Sequence, residues 1–320
     1  MDSAPLISIC IPAYNGANFI RATIQSVLNQ SFTKFELVVS DDRSLDGTLA
    51  VVRGFKDPRI RLIENDKNLG LGGNWNRVLS SVLGKYVKLL CDDDLLHPRC
   101  LEKQVGILEA PGNQPAVLTV CNRNVINHRN EVVLKKRRPL ASGLVGGRKL
   151  ICRSIRRGTN LIGEPAVGLF RRDALKKKEM VDPRNPFLSD LSLWSELLRT
   201  GDAFVDPECL ASFRISENAT SAKIGLKQAA CFRAFGWQLY RDPFYRLPLT
   251  DLISACLLSL PLCLLRNGLI RARTVTRSNN QPLPPPDTPP GKDAFKAFDH
   301  DSHSGCGCGT VPNDCHVTCF

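Results

Sequence analysis

No stretch of this chain is long and apolar enough to be read as a bilayer-spanning helix. The run LISACLLSLPLCLL occupies only residues 252–265 and is interrupted by Pro261, short of the roughly twenty residues a span needs. No basic n-region stands ahead of the opening residues MDSAPLISICIP, so no signal peptide is read there. Aromatic residues are few, at 7%. None is interleaved with the basic segments KKRRP (135–139) and RSIRR (153–157), and no recognisable binding module surrounds them. Nucleic acid is therefore not expected as a partner.

Cysteine is not scarce. Of thirteen, nine lie between Cys10 and Cys263, mostly inside apolar runs such as ISICI. Free, buried, reduced thiols are placed in this way, and a cytoplasmic location is expected, with association to the inner face of a membrane left open. The sequons at Asn29 and Asn218 are then chance matches. Cys306, Cys308, Cys315 and Cys319 stand with His303 and His316 in spacings that match no common zinc pattern. After QPLPPPDTPP they read as the end of a disordered tail, with a metal-binding knot as the alternative.

With 320 residues and 43% hydrophobic content, the chain is large enough for one large or two ordinary domains around a sizeable core. The net charge of +12 is unevenly placed. Glu131–Met180 holds fourteen Lys/Arg against four Asp/Glu, whereas Arg271–Phe320 is balanced at five against five. A basic middle suggests an anionic partner such as a diphosphate or an anionic lipid surface.

Short β-rich runs alternate with helical patterns. LISICI (6–11), FELVV (35–39), IRLI (60–63), 85–91 and AVLTVC (116–121) read as strands. Residues 17–30, 45–55, 72–83 and 98–109 read as helices, the last with Pro98 at its first position. The order implies βαβ units in a mostly parallel α/β sheet, where ligands sit beyond the carboxyl ends of the strands. Three such ends are polar: PAYNG, SDDRSLDG and CDDDLLHP. These loops are expected to converge. Adjacent carboxylates at a strand end suit Mg²⁺ or Mn²⁺, which bind one or two carboxylates plus substrate phosphates. A solvated acidic turn, or a helix cap before Pro98, reads equally from that stretch alone.

Taken together, IPAYNGANFIRATIQSVLNQSFTKFELVVSDDRSLDGT, ENDKNLGLGGNWNRVL and GKYVKLLCDDDLLHP strongly resemble the family 2 glycosyltransferases, over roughly residues 6–221. The resemblance implies a GT-A fold, a Rossmann-like nucleotide-binding sheet with flanking helices. It implies an inverting transfer from a nucleoside-diphosphate sugar, UDP- or dTDP-linked, to a glycan or lipid-linked acceptor. By resemblance, Pro12, Ala13, Tyr14 and Asn15 line the base. Asp42, with Asp41 beside it, contacts the uracil or thymine, and Asn76 lies near the ribose and phosphates. The family's D-x-D-D metal motif begins here with Cys91. Asp92 follows on the nucleotide side, and the resemblance implies Asp93 as the principal ligand for Mn²⁺ or Mg²⁺, supported by Asp92 or Asp94. Asp190 takes the position of the general base, a role compatible with capping helix 191–199. Glu164, in GEPAVGLF, matches the donor-sugar and acceptor side, and reads equally as a turn residue. Arg214, in FRISENATS, matches a diphosphate clamp with Ser221, although Ser216 stands where His is common.

Three parts follow: a glycosyltransferase domain at 1–225, a helical segment at 226–273, and the tail at 274–320. The apolar run at 252–265, flanked by Arg266, Arg271 and Arg273, reads either as an anionic-membrane surface element or as a buried helical hairpin. Cys91 and Ser216 also keep open a catalytically inert nucleotide-sugar or glycan-binding protein on the same fold.

Overall fold

The structure is a computed structural model that describes residues 4–136, 140–177, 179–183, 185–215 and 227–275. Ser216, Ser221, the proposed 225/226 boundary and the cysteine-rich tail lie outside the described residues.

The first half winds as its hydrophobic pattern predicts. β1 (Ile7–Ala13), β2 (Phe35–Asp41) and β4 (Tyr86–Leu89) are buried along their whole length. Burial on both faces explains their near-continuous apolar runs. They and β3 (Ile60–Glu64) form a parallel set in the order β3-β2-β1-β4. The crossovers are α1 (Ile20–Leu28), α2 (Thr48–Gly54) and α3 (Gly70–Leu79). α1 buries Ile20, Ile24 and Val27, the spacing of one helical face.

The second half is mixed. β5 (Leu95–Leu96), β6 (Ala116–Ile126), β7 (Val132–Lys136), β8 (Gly143–Val145), β9 (Gly168–Arg171) and β10 (Asp202–Arg214) complete a ten-stranded sheet. β9 runs antiparallel to both β4 and β6, while β10 is parallel to β6. The four-residue β9 inserts between strands that are not its chain neighbours, so the βαβ rhythm gives no sign of it. It passes directly beneath Trp194, where a Cβ on Gly168 would lie 2.6 Å from the indole ring.

α4 (Cys100–Glu109) begins two residues beyond Pro98. His97 makes the turn instead: its Nδ1 accepts the Arg99 N–H and its carbonyl accepts the Cys100 N–H. α5 (Gly147–Arg156) and α6 (Ser189–Leu197) complete the body. α7 (Lys227–Arg241) and α8 (Leu249–Val275) form an antiparallel hairpin, fixed by Arg233 Nε donating to Ser259 Oγ and by Cys263 Sγ donating to Gln228 Oε1. α8 continues through Pro261. Phe232, Phe235, Leu239 and Leu252 join the same core as the sheet. Among the described residues no helix is long and apolar enough to cross a membrane.

Candidate active site

The loops after β1, β2 and β4 meet at one end of the parallel strands, and the backbone does most of the joining. The Tyr14 N–H donates to Asp92 Oδ2 at 3.1 Å, tying the first loop to the third. Asn15 sits at φ 53°, a left-handed conformation that Asn tolerates better than most side chains. There its N–H donates to Ser44 Oγ and its Oδ1 accepts the Leu45 N–H, tying the first loop to the second. The Gly16 N–H donates to Thr48 Oγ1, and the Ala17 N–H to Asp46 Oδ2. A Cβ on Gly16 would lie 2.4 Å from Asp92 Oδ2, so the glycine leaves this carboxylate its place.

Asp41 and Asp42 are both buried but differ in what they offer. Asp42 Oδ1 accepts the Leu69 N–H at 2.8 Å and the Asn65 amide at 2.9 Å, so this oxygen braces the loop before α3. Asp41 Oδ2 accepts the Ser44 N–H, while its buried Oδ1 has no partner among the described residues. Pro12 and Ala13 close the end of β1 as buried floor, and Tyr14 is half exposed at the rim.

The three aspartates are unequal. Asp94 is fully buried. Its Oδ1 accepts the Arg214 N–H at 2.9 Å, and its Oδ2 is buried without a partner. Burial, then the charges of Asp93 and Glu164, hold its carboxyl well above the usual range. Burial followed by the Asp93 charge pushes Asp92 up to about 7. Burial also raises Asp93, with the Arg214 charge pulling the other way. Burial and the neighbouring carboxylates push the Cys91 thiol up, so it is a neutral group rather than a thiolate ligand. Among the described residues no three carboxylate, imidazole or thiol groups form a ready-made cation cage. A cation here would be held by one or two carboxylates, with oxygens of the bound diphosphate completing its shell. The unpartnered Asp94 Oδ2 and the half-buried Asp93 fit that role.

Arg214 is placed differently from a clamp. It is buried, and its Nε donates to the Asp93 carbonyl at 2.8 Å. Its two terminal nitrogens donate to the Asn127 carbonyl and to Asn130 Oδ1, while its guanidinium lies 4.6 Å from the centre of the Phe19 ring. It pins the aspartate loop from behind. Asn76 likewise turns its amide to protein: Nδ2 donates to the Val181 carbonyl, and Oδ1 accepts the Met180 and Val181 N–H groups. It anchors the 180–181 segment instead of facing a ribose.

Asp190 lies in the first turn of α6, one residue inside its start, with Leu188 at the cap position. Its Oδ1 accepts the Leu191 N–H, and its Oδ2 accepts the Asn160 amide at 2.8 Å. Asn160 is itself fixed, its Oδ1 accepting the N–H groups of Ile162 and Gly163. The Asp190 charge is the smallest of those that raise the Cys91 thiol. Glu164 pairs with Arg123, Oε1 to Nη2 at 2.6 Å, with the guanidinium almost wholly buried.

Asn160, Arg123 and Asn74 escaped the sequence reading. Asn74 is buried, accepts from Ser40 Oγ at 2.7 Å and donates to the Ser40 carbonyl, locking α3 to the end of β2. Its i,i+4 spacing from buried Val78 was the available signal. Arg123 and Asn160 carried no local signal.

The chain matches the family described as glycosyl transferase family 2 over residues 8–177, just over half its length. The chain belongs to that family. An uncharacterized glycosyltransferase of Haemophilus influenzae is 27% identical over 231 residues, covering 69% of each chain. An Escherichia coli relative, named UDP-Glc:alpha-D-GlcNAc-diphosphoundecaprenol beta-1,3-glucosyltransferase WfgD, is 38% identical over 103 residues. That match covers 32% of this chain and 41% of the relative. In fold, the chain is similar to Staphylococcus aureus TarS in complex with UDP-GlcNAc, at TM-score 0.58 and 17% identity. The likeness covers 74% of this chain and 67% of that one. This is a GT-A glycosyltransferase fold. The family match includes the three converging loops, Arg123, Asn160 and Glu164, and ends before Asp190 and Arg214.

Proposed function

We propose that the protein is an inverting, divalent-metal-dependent glycosyltransferase. In this reading it moves a sugar from a uridine or thymidine diphosphate sugar to a glycan or lipid-linked acceptor. The observation that carries the reading is the junction of three loops. There Asp41 and Asp94 each keep a buried carboxylate oxygen without a protein partner, at the end of the sheet where α/β folds bind nucleotides. Uridine is favoured by the UDP-sugar named for the TarS complex and for the E. coli relative, and a lipid-linked acceptor by the latter's name.

Asp42, with Asp41 beside it, accepts the base N–H, with Pro12, Ala13, Tyr14 and Asn15 around the ring. Asp93 and Asp94 hold the cation, while Asp92 keeps the first loop against the third. When bound, Mn²⁺ or Mg²⁺ stabilises charge on the leaving diphosphate. Asp190, aimed by Asn160, accepts the proton of the acceptor hydroxyl as its oxygen bonds to the anomeric carbon. The bond from that carbon to the diphosphate breaks, and the diphosphate leaves with the electron pair. Arg123 and Glu164 border the sugar side. Thermal-shift measurements across nucleotide sugars with Mn²⁺ test the donor assignment. Stabilisation by UDP- or dTDP-sugars, and not by GDP-sugars, is expected. The reverse preference would refute it.

A further inference from the structure

The C-terminal hairpin leaves an apolar surface that nothing in the chain covers among the described residues. On α8, Leu252, Ala255, Ser259 and Cys263 face inward and are buried. Leu249, Ile253, Leu257, Leu260 and Leu264 follow one another at intervals of four, four, three and four residues, which makes one outward stripe. All five are exposed, Leu257 by 70%. The stripe is roughly 22 Å long at 1.5 Å per residue. A helix apolar on both its inner and outer faces ordinarily has a second apolar neighbour.

The surroundings indicate which neighbour. α5 packs against α8 so closely that a Cβ on Gly158 would lie 2.9 Å from Leu258, and Ser254 Oγ donates to the Arg156 carbonyl. Along α5 and its end, Lys149, Arg156 and Arg157 are exposed. On α7, Trp237 and Tyr240 are exposed and stacked, with Arg241 over the indole ring. Residues 227–275 carry seven Lys/Arg against two Asp/Glu. Apolar stripe, amphipathic aromatics and basic flanks together are what an interfacial element presents to anionic lipid. A second copy of the chain is the poorer partner, because it would bring the same arginines against each other.

We propose that the outer face of α8, with the basic end of α5 and the aromatic face of α7, is a docking surface for an anionic phospholipid bilayer. It lies in the interface plane and does not span. This site is separate from the nucleotide site, and its test needs no substrate. Of the three tryptophans only Trp237 is exposed, since Trp75 and Trp194 are buried, so its emission reports on this surface.

The full chain is floated with vesicles of phosphatidylcholine alone and with vesicles of phosphatidylcholine mixed with phosphatidylglycerol. Binding to the mixed vesicles should be at least roughly tenfold tighter, fall with added salt and blue-shift Trp237. The triple substitution Ile253→Gln, Leu257→Gln, Leu260→Gln should abolish flotation. Arg156→Glu with Arg157→Glu should remove the preference for anionic vesicles, and both substituted residues are exposed, so the fold tolerates the change. Two results would overturn the proposal: wild type that floats with neither vesicle, or an Arg-substituted protein that keeps the full anionic preference. A dimer seen by sedimentation equilibrium, lost in the triple variant and accompanied by no vesicle binding, would give the surface to a second copy instead.

Discussion

Asp190 and Asn160 separate two effects that a dead variant alone would merge. Asp190→Asn keeps the shape and the contact to Asn160 but no longer accepts a proton. Transfer should fall by about 10²–10⁴-fold while the thermal shift on donor binding persists. Asn160 touches no substrate in this account; it aims Asp190 through a 2.8 Å hydrogen bond. Asn160→Ala should lower kcat by up to roughly 10²-fold, leave donor KM unchanged and shift the acidic limb of the pH–rate profile. An unchanged limb would make Asn160 a loop brace only. The aspartate loop has its own pH signature. Asp92 rises from 3.8 to about 7, and Asp93 and Asp94 rise with it. Carboxyls raised on folding stabilise the metal-free protein below their unfolded value, and that contribution is lost as pH climbs toward 7. A cation reverses the penalty only where the carboxyls ionise. Its stabilising shift in Tm should therefore be small at about pH 5 and large at about pH 8. A shift that does not vary with pH would remove the cluster from the metal site. The aspartates were legible because like charges crowd a strand end in one short segment. The roles of Arg214 and Asn76 were not, because each is decided by a carbonyl far away in the chain: Asp93 for one, Val181 for the other.

Among the elements, the loop after β1 is the most constrained. Gly16 leaves room for Asp92, so Gly16→Ala must displace that carboxylate or the loop. Cation and donor affinity should drop several-fold with little loss of thermal stability, a split that binding isotherms beside melting curves would expose. The end of β10 acts from the other side. Arg214 is buried with its donors on Asp93, Asn127 and Asn130, and Arg214→Met would leave the aspartates without that countercharge. A destabilisation of about 3–5 kcal/mol is expected by chemical denaturation. A value near zero would return Arg214 to a clamp that reaches the diphosphate. β1, β2 and β4 could be read from hydrophobic period because each buries one continuous apolar run, and α1 because it buries one apolar face. β9 could not, since its four residues derive their direction from β4 and β6. α8 could not either: the apolar run was visible, but not the fact that only one side of it meets α7 and α5.

At the scale of the whole molecule, one core unites the parallel sheet, the mixed extension and the helical hairpin. The 225/226 division thus separates stretches of sequence that share a core. Family membership rests on residues 8–177, which hold the three converging loops. Residues 185–215 and the hairpin lie beyond that match. The excess of basic residues between Glu131 and Met180 includes α5, which packs against α8. In the proposed reaction a divalent cation on Asp93 and Asp94 would activate the donor diphosphate. Release of nucleoside diphosphate from a stabilising nucleotide sugar, measured with and without Mn²⁺ in wild type and Asp93→Asn, tests it most directly. Mn²⁺-dependent release is expected from wild type, and none above background from Asp93→Asn. Full Mn²⁺-dependent release by Asp93→Asn would contradict it.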